Sequence, residues 1–272
     1  MFLWIDMEAF KNKFPFKLGA TSYVLSEEED NLMANIRFVM ERFDMIQLLF
    51  MGRDYLHEVM SPPIIRELEA ARGKSGVLYT VHLPADLDLL NPEEERVRGS
   101  IGVIERIIAE TRPLDIQGYI LHLDRFLDGF GRVDLTGAAC RVFQSSLDML
   151  ADRLGGDARN IYIENTTYDL TYFKDIIVDR PFPICMDAGH LFFFNQDYEG
   201  FIKIFGRRIR QIHLHGFRDG KDHAAVSELK DAEMSKIVTF QRKFSCPLLL
   251  EVFNLDDLEK SAEHLVKHFI KS

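Results

Sequence analysis

NIYIENTTYDLTYFKDIIVDRPFPICMDAGH (160–190) carries two short apolar runs, NIYIEN and PFPICMD, that end at or near carboxylates, Glu164 and Asp187, with His190 three residues beyond the second. The same unit recurs on both sides. His82 lies in LYTVHLP, His122 in YILHLD, His213 and His215 in IRQIHLHG, and Glu251 in LLLEVF. A lone histidine on an apolar run usually reads as a core residue satisfied by its neighbours. Six successive runs that each carry a ligand-type side chain near their C-terminal end do not fit that reading. Burying so many ionisable groups without partners costs several kcal/mol apiece. A shared cation centre offsets that desolvation.

The runs are strand-length: KLGATSYV, FDMIQLLF, VLYTVHL, GYILHL, NIYIEN, PFPICMD, IRQIHLH and PLLLEVF. Helix-like stretches separate them, among them EEEDNLMANIRFVMERF and LTGAACRVFQSSLDMLADRLG; the second stops at Gly155-Gly156, a helix terminator. Strands alternating with helices pair in parallel through right-handed crossovers. Eight such units predict an α/β fold, a (β/α)8 TIM barrel spanning residues 1–272 as a single domain, with residues 1–16 as an extension ahead of the first strand. In that fold the C-terminal ends of the strands surround the active site, so the ligand-type residues gather at one mouth. A doubly wound open sheet would not bring all its strand ends into one ring.

The net charge is −10 and no Lys/Arg block stands out, which argues against nucleic acid or an anionic membrane as partner and for a small-molecule substrate. Cys140, Cys185 and Cys246 are scattered with no C-x-x-C, as expected of reduced thiols in a cytoplasmic protein. The start, MFLWIDMEAFKNKF, has acids at Asp6 and Glu8 and too short an apolar stretch for a signal peptide. No run approaches the roughly 18 apolar residues of a membrane span.

Glu164, Asp187, His213 and Glu251 make a mixed carboxylate–imidazole set that suits zinc, manganese or a similar divalent ion. His82 and His122, from neighbouring strands, point to a second ion, which Glu164 can bridge to the first. His190 and His223 point to a third position. Two ions about 3.5–4 Å apart are a common device for phosphoester hydrolysis. The expectation is therefore two or three divalent ions, zinc ahead of manganese, with Glu164 and Glu251 as the catalytic carboxylates. The chain has no G-x-S-x-G and no Walker-type loop.

Around this set stand residues with weaker signals. His215 is two residues past His213, on the same strand face, as a substrate contact or an orienting partner. Asn165 is expected to bind substrate or fix Glu164. Arg53, Arg125, Arg218 and Lys221 fall near post-strand loops, where a cation can meet phosphate. LFFFNQDY (191–198) either covers a hydrophobic substrate or packs a loop-to-helix entry. Cys185 fills the barrel; His57, His264 and His268 read as surface helix residues. The acidic run at 27–30 reads as a solvated helix start.

The phrases VHLPADLDLLNP, IENT, MDAGH and IHLH, in that order, resemble the divalent-metal barrel superfamily that joins endonuclease IV with xylose isomerase and the sugar isomerases/epimerases. The resemblance runs from about Leu18 to Val252. In the isomerase/epimerase branch it implies one metal on Glu164, Asp187, His213 and Glu251. In the endonuclease IV branch it implies a further metal on His82 and His122, and a third site with His190 and His223. That branch's D-x-H pattern would place an acid at 221, which is Lys221; either the neighbouring Asp222 substitutes for it, or the third metal is weak or absent. LGATSYVL, NIRFV, YTVHLPADLDL, IHLHG followed by GKDH, and LEVF are similar to cobamide-remodelling phosphodiesterases. That narrower likeness implies hydrolysis of the nucleotide-loop phosphodiester of adenosylcobamides, hence a corrinoid substrate.

Three other functions compete. A one-metal sugar isomerase or epimerase would use Glu164 and Glu251 as an acid/base pair. An abasic-site endonuclease would need loops that enter the DNA groove and a salt-sensitive affinity for duplex. A non-catalytic binding protein would have a closed metal set with no open position.

Overall fold

In the computed structural model, residues 8–25, 32–50, 52, 61–123 and 137–270 are described. Eight parallel strands close a barrel: β1 (Leu18–Thr21), β2 (Met45–Leu49), β3 (Leu78–His82), β4 (Tyr119–Leu121), β5 (Ile161–Glu164), β6 (Ile184–Asp187), β7 (Ile209–Leu214) and β10 (Leu248–Leu250). Neighbours in sequence are neighbours in the sheet, and β10 closes onto β1 with Leu18 opposite Leu248. All eight expected runs are strands. They are almost wholly buried, one face filling the barrel and the other lying under helices, which is why they read as continuous apolar runs rather than as alternation.

Among the described residues the helices are α1 (Leu32–Arg42), α2 (Pro62–Ser75), α3 (Glu94–Thr111), α4 (Gly137–Leu154), α5 (Lys174–Ile177), α6 (Ala188–Phe193), α7 (Tyr198–Phe205), α8 (Asp231–Phe244) and α9 (Leu255–Phe269). Helix α9 shows how sequence sets them. Asn254 caps it by accepting the Asp257 amide, and Leu258, Ser261, Ala262 and Leu265 form one buried stripe at helical spacing. None of the described helices is long and apolar enough to cross a membrane.

The described part of the N-terminal extension seals the barrel's lower end. Phe10, Phe14 and Phe16 are buried in the core. The Asp44 carboxylate, just ahead of β2, accepts the Asn12 and Leu18 amides at 3.2 and 3.3 Å and pairs with Lys17 at 3.1 Å. Pro15 and Lys11 tie the segment to Ser245 and Ser75, which precede β10 and β3.

One element departs from the plain (β/α)8 pattern. After β7 the chain forms an antiparallel hairpin, β8 (Gly216–Arg218) and β9 (Lys221–Ala224), with Arg218 paired to Lys221. Its two-residue turn is Asp219-Gly220, both at positive φ (54° and 73°). Asp-Gly is a strong short-range hairpin signal, because this turn needs two left-handed residues. These two strands lie beyond the eight expected runs.

Candidate metal centre

Every strand from β3 to β7, and β10, delivers a candidate ligand to the same rim. His82 ends β3, Glu164 ends β5 and Asp187 ends β6. His122 follows β4 directly, His213 lies near the end of β7 with His215 just after it, and Glu251 follows β10. Asp187 is opposite His213 across the β6–β7 pair, so their side chains share the inner face. His190 comes from α6, whose first turn is capped by the Asp187 carboxylate accepting the His190 amide at 2.7 Å. His223 arrives on the hairpin strand β9.

Within each of three adjoining groups, one ligand atom per residue lies within 4.8 Å of the others: His82, His122 and Glu164; Glu164, Asp187, His213 and Glu251; and His190, His215 and His223. Glu164 belongs to two of them, and its oxygens divide between them. Oε2 is 2.8 Å from His122 Nε2 and 3.6 Å from His82 Nε2. Oε1 is 2.6 Å from His213 Nδ1, which is itself 2.9 Å from Glu251 Oε2. The two carboxylates therefore flank one imidazole nitrogen.

The outward ring nitrogens are already spoken for. His82 Nδ1 faces the Leu83 carbonyl at 2.8 Å, and His213 Nε2 faces Gln47 Oε1 at 2.9 Å. His223 Nδ1 faces the Glu251 carbonyl at 3.0 Å. Donating from those nitrogens fixes the tautomer that turns a lone pair into the mouth.

Glu164 Oε1, Asp187 Oδ2, His190 Nδ1, His213 Nδ1 and His215 Nε2 are buried and make no hydrogen bond of acceptable geometry. Such convergent orphaned atoms are costly unless a cation takes them. Ligands on a tetrahedral zinc with bonds of about 2.0–2.1 Å stand about 3.3 Å apart. The observed separations of 2.6–3.6 Å bracket that edge. The residues present thus fit divalent metal ions of the zinc or manganese class.

Electrostatics agree. Burial by itself would lower the basicity of His190, but the Asp187, Asp222, Glu164 and Glu251 carboxylates together outweigh it and lift the ring to about 10. His213 is likewise depressed by burial and raised well above its ordinary value by Cys185, Glu164 and Glu251. Burial would raise Glu164, yet His213 and His122 hold it well below the carboxylate range. Without metal, His190 and His213 therefore keep protons at pH 7, protons that must leave when a lone pair takes a cation. Zinc uptake at pH 7 is therefore expected to release protons, with occupancy falling as pH falls. A pH indicator in weakly buffered solution reads the release; zinc uptake with none contradicts this protonation.

Several expected residues lie elsewhere or do other work. Asn165 is fully buried and spends its amide on the Asp187 backbone, donating to its carbonyl at 2.8 Å and accepting its N–H at 2.9 Å. Both bonds fasten it to the end of β6. Arg218 pairs with Glu228 at 3.2 Å, an exposed ion pair. Lys221 is exposed, and Asp222 stands 3.4 Å from His190 Nε2. Arg53, Arg125, His57 and the acidic run at 27–30 lie outside the described residues. Gln47 and Gln211, which bracket His213 Nε2, are not among the residues expected from sequence. Gln211 has the signal: it precedes His213 by two and shares its face.

The mouth is edged with aromatics. Phe194 lies 5.6 Å from the His190 ring and Phe253 lies 4.9 Å from that of His223, centroid to centroid. Phe193 links Phe194 to Phe217 on the hairpin.

A family model described as xylose isomerase-like TIM barrel matches residues 41–271. No curated protein matches the sequence significantly. Among solved structures, a D-tagatose 3-epimerase-like protein superposes with a TM-score of 0.71 at 20% identity, covering 93% of this chain and 96% of that one. The apo 3-keto-D-glucoside 4-epimerase from E. coli gives 0.65 at 16% identity, over 93% and 98%. Endonuclease IV from Thermus thermophilus gives 0.63 at 15% identity, over 94% and 99%. At these identities the likeness is one of fold.

Proposed function

The chain belongs to the xylose isomerase-like TIM barrel family, and on that premise we propose that it is a divalent-metal phosphodiesterase that hydrolyses the nucleotide-loop phosphodiester of cobamides. The observation that carries this reading is the split carboxylate of Glu164, with His82 and His122 on one oxygen and His213 on the other. In a one-metal enzyme the first group would serve substrate hydrogen bonding or packing instead. A carboxylate shared by two cation positions would hold two ions close together, as two-ion phosphoester hydrolysis uses them.

The ligand sets would be His82, His122 and Glu164 for one ion, and Glu164, Asp187, His213 and Glu251 for the next. When bound, divalent ions supply Lewis acidity toward phosphoryl oxygens and lower the pKa of water. The chain's own residues do the rest. Gln47 holds the His213 ring, Asn165 holds the Asp187 backbone, and Leu83 holds His82, so the donors are preorganised. In the overall reaction water adds to phosphorus, one P–O ester bond breaks, and the departing alkoxide takes a proton.

The corrinoid rests on the phrases from LGATSYVL to LEVF, and the aromatic edge of Phe194, Phe217 and Phe253 suits a large, partly apolar substrate. A net charge of −10 disfavours duplex DNA. The free cysteines Cys140, Cys185 and Cys246 suit the cytoplasm.

One observation favours a second reading. Glu164 and Glu251 flank His213 Nδ1, as an acid/base pair acting on a sugar carbon would require. The test is to incubate zinc- or manganese-loaded protein with adenosylcobalamin and follow products by liquid chromatography and mass spectrometry. A cobinamide-type product, lost with EDTA, is expected. Metal-loaded protein that leaves the cobamide intact but interconverts ketose epimers would establish the epimerase instead.

A further inference from the structure

We infer that the outer cation position is held by three imidazoles, those of His190, His215 and His223, with Asp222 outside the coordinating set. The inference rests on the metal-centre reading of this mouth but not on the phosphodiester substrate. The three rings come from α6, the end of β7 and the hairpin strand β9, and their ligand atoms lie within 4.8 Å of one another. Their ring centroids are 4.2–5.5 Å apart.

His215 is the unexpected member. Donating from Nδ1 to the Gly216 carbonyl at 2.9 Å, the ring turns the lone pair of its Nε2 inward. That Nε2 is buried and has no hydrogen-bond partner of acceptable geometry. The space for it depends on Gly189, since a Cβ there would sit 2.5 Å from Nε2. His223 is brought over the same point by a left-handed backbone, φ 55°, which a histidine adopts uncommonly. With its Nδ1 on the Glu251 carbonyl, its Nε2 is free to bind.

Asp222 occupies a different place. Its side chain is 36% exposed, against 11% for His190, and it meets His190 Nε2 at 3.4 Å and His223 Nε2 at 3.9 Å. A carboxylate set against ligand imidazoles from outside orients them and raises their basicity. The neighbouring position that the family resemblance would give an acid is Lys221, which is exposed. Three neutral nitrogen donors leave the ion its full charge. They also favour zinc, copper or nickel over manganese and magnesium, which prefer oxygen.

Protein stripped with EDTA and reloaded with zinc or manganese is counted for metal by mass spectrometry, as wild type, His215→Asn, His223→Asn and Asp222→Asn. Both histidine variants should bind about one zinc per chain fewer than wild type, and Asp222→Asn should keep the wild-type count with affinity about tenfold weaker. Wild type reloaded with manganese should bind no more ions than His215→Asn does with zinc. Full zinc content in His215→Asn would reduce His215 to a partner of Asp187, 3.3 Å away, and overturn the inference. Loss of one zinc in Asp222→Asn with none in His215→Asn overturns it in favour of the acid. If His215→Asn does not fold, His223→Asn decides the same way, retention of zinc overturning the three-imidazole set. A protein that does not turn over cobamides yet shows these zinc counts fails only the substrate reading.

Discussion

Glu164→Gln is expected to lower adenosylcobalamin hydrolysis by ~10²–10³-fold, the scale of removing one preorganised electrostatic group from the reacting centre. The substitution keeps the shape of a side chain that is fully buried, so packing is conserved. What it removes is the charge common to two ligand groups. His213 Nδ1 at 2.6 Å and His122 Nε2 at 2.8 Å would then face a neutral amide with a single oxygen, so one of the two groups would lose its oxygen donor and both would lose the negative charge. Metal content should fall together with activity, while the far-ultraviolet circular dichroism of the metal-free protein stays that of wild type. A variant that retained its full metal complement and more than a tenth of the wild-type rate would remove the bridging carboxylate from the mechanism.

His122→Ala should cost at least ~10²-fold in hydrolysis and about one metal ion per chain. His122 is the more exposed member of its group, its side chain 20% accessible against 6% for His82. Truncating it opens space to solvent rather than a sealed cavity, so the fold should survive. The ligands of the four-residue group, Glu164, Asp187, His213 and Glu251, all stay in place. This makes His122→Ala the variant that separates the two functional readings. A phosphodiesterase working through both groups loses its activity. An epimerase working through the four-residue group keeps its metal and is impaired rather than abolished. Full metal content with an unimpaired rate would show that the first group, and with it the observation on which the phosphodiesterase rests, has no functional part.

The barrel was legible because its signals are local. Each strand is an apolar run buried on both faces, each crossover is long enough for a helix, and the ligand-type residues sit at matching ends. Once the barrel is granted, its geometry alone brings His82, His122, Glu164, Asp187, His213 and Glu251 to one rim. The hairpin after β7 was legible in principle, since Asp219-Gly220 demands it, but its place beside an apolar strand made it look like loop.

Other residues were not legible, and the reasons differ. Gln47 lies in a strand otherwise made of Met, Ile and Leu, and nothing local tells a positioning amide from a tolerated one. Its partner, Gln211, is 164 residues away. Asn165 and Arg218 stand where substrate contacts are expected. Whether they are available depends on what else lies within reach, the Asp187 backbone for one and Glu228 for the other.

The sequence by itself determined the barrel, the rim on which the site is built and the chemical kind of its donors, because strand period and chain order are properties of the linear chain. Only the tertiary structure decided how those donors are divided. Which oxygen of Glu164 faces which histidines, which nitrogen of His213, His215 and His223 points inward, and whether His215 or Asp222 stands with His190 depend on distances of a few ångströms between strands far apart in sequence. Spacing along a chain fixes the face a side chain occupies, but the partner it meets there is set by closure of the barrel and by the hydrogen bonds that turn each ring.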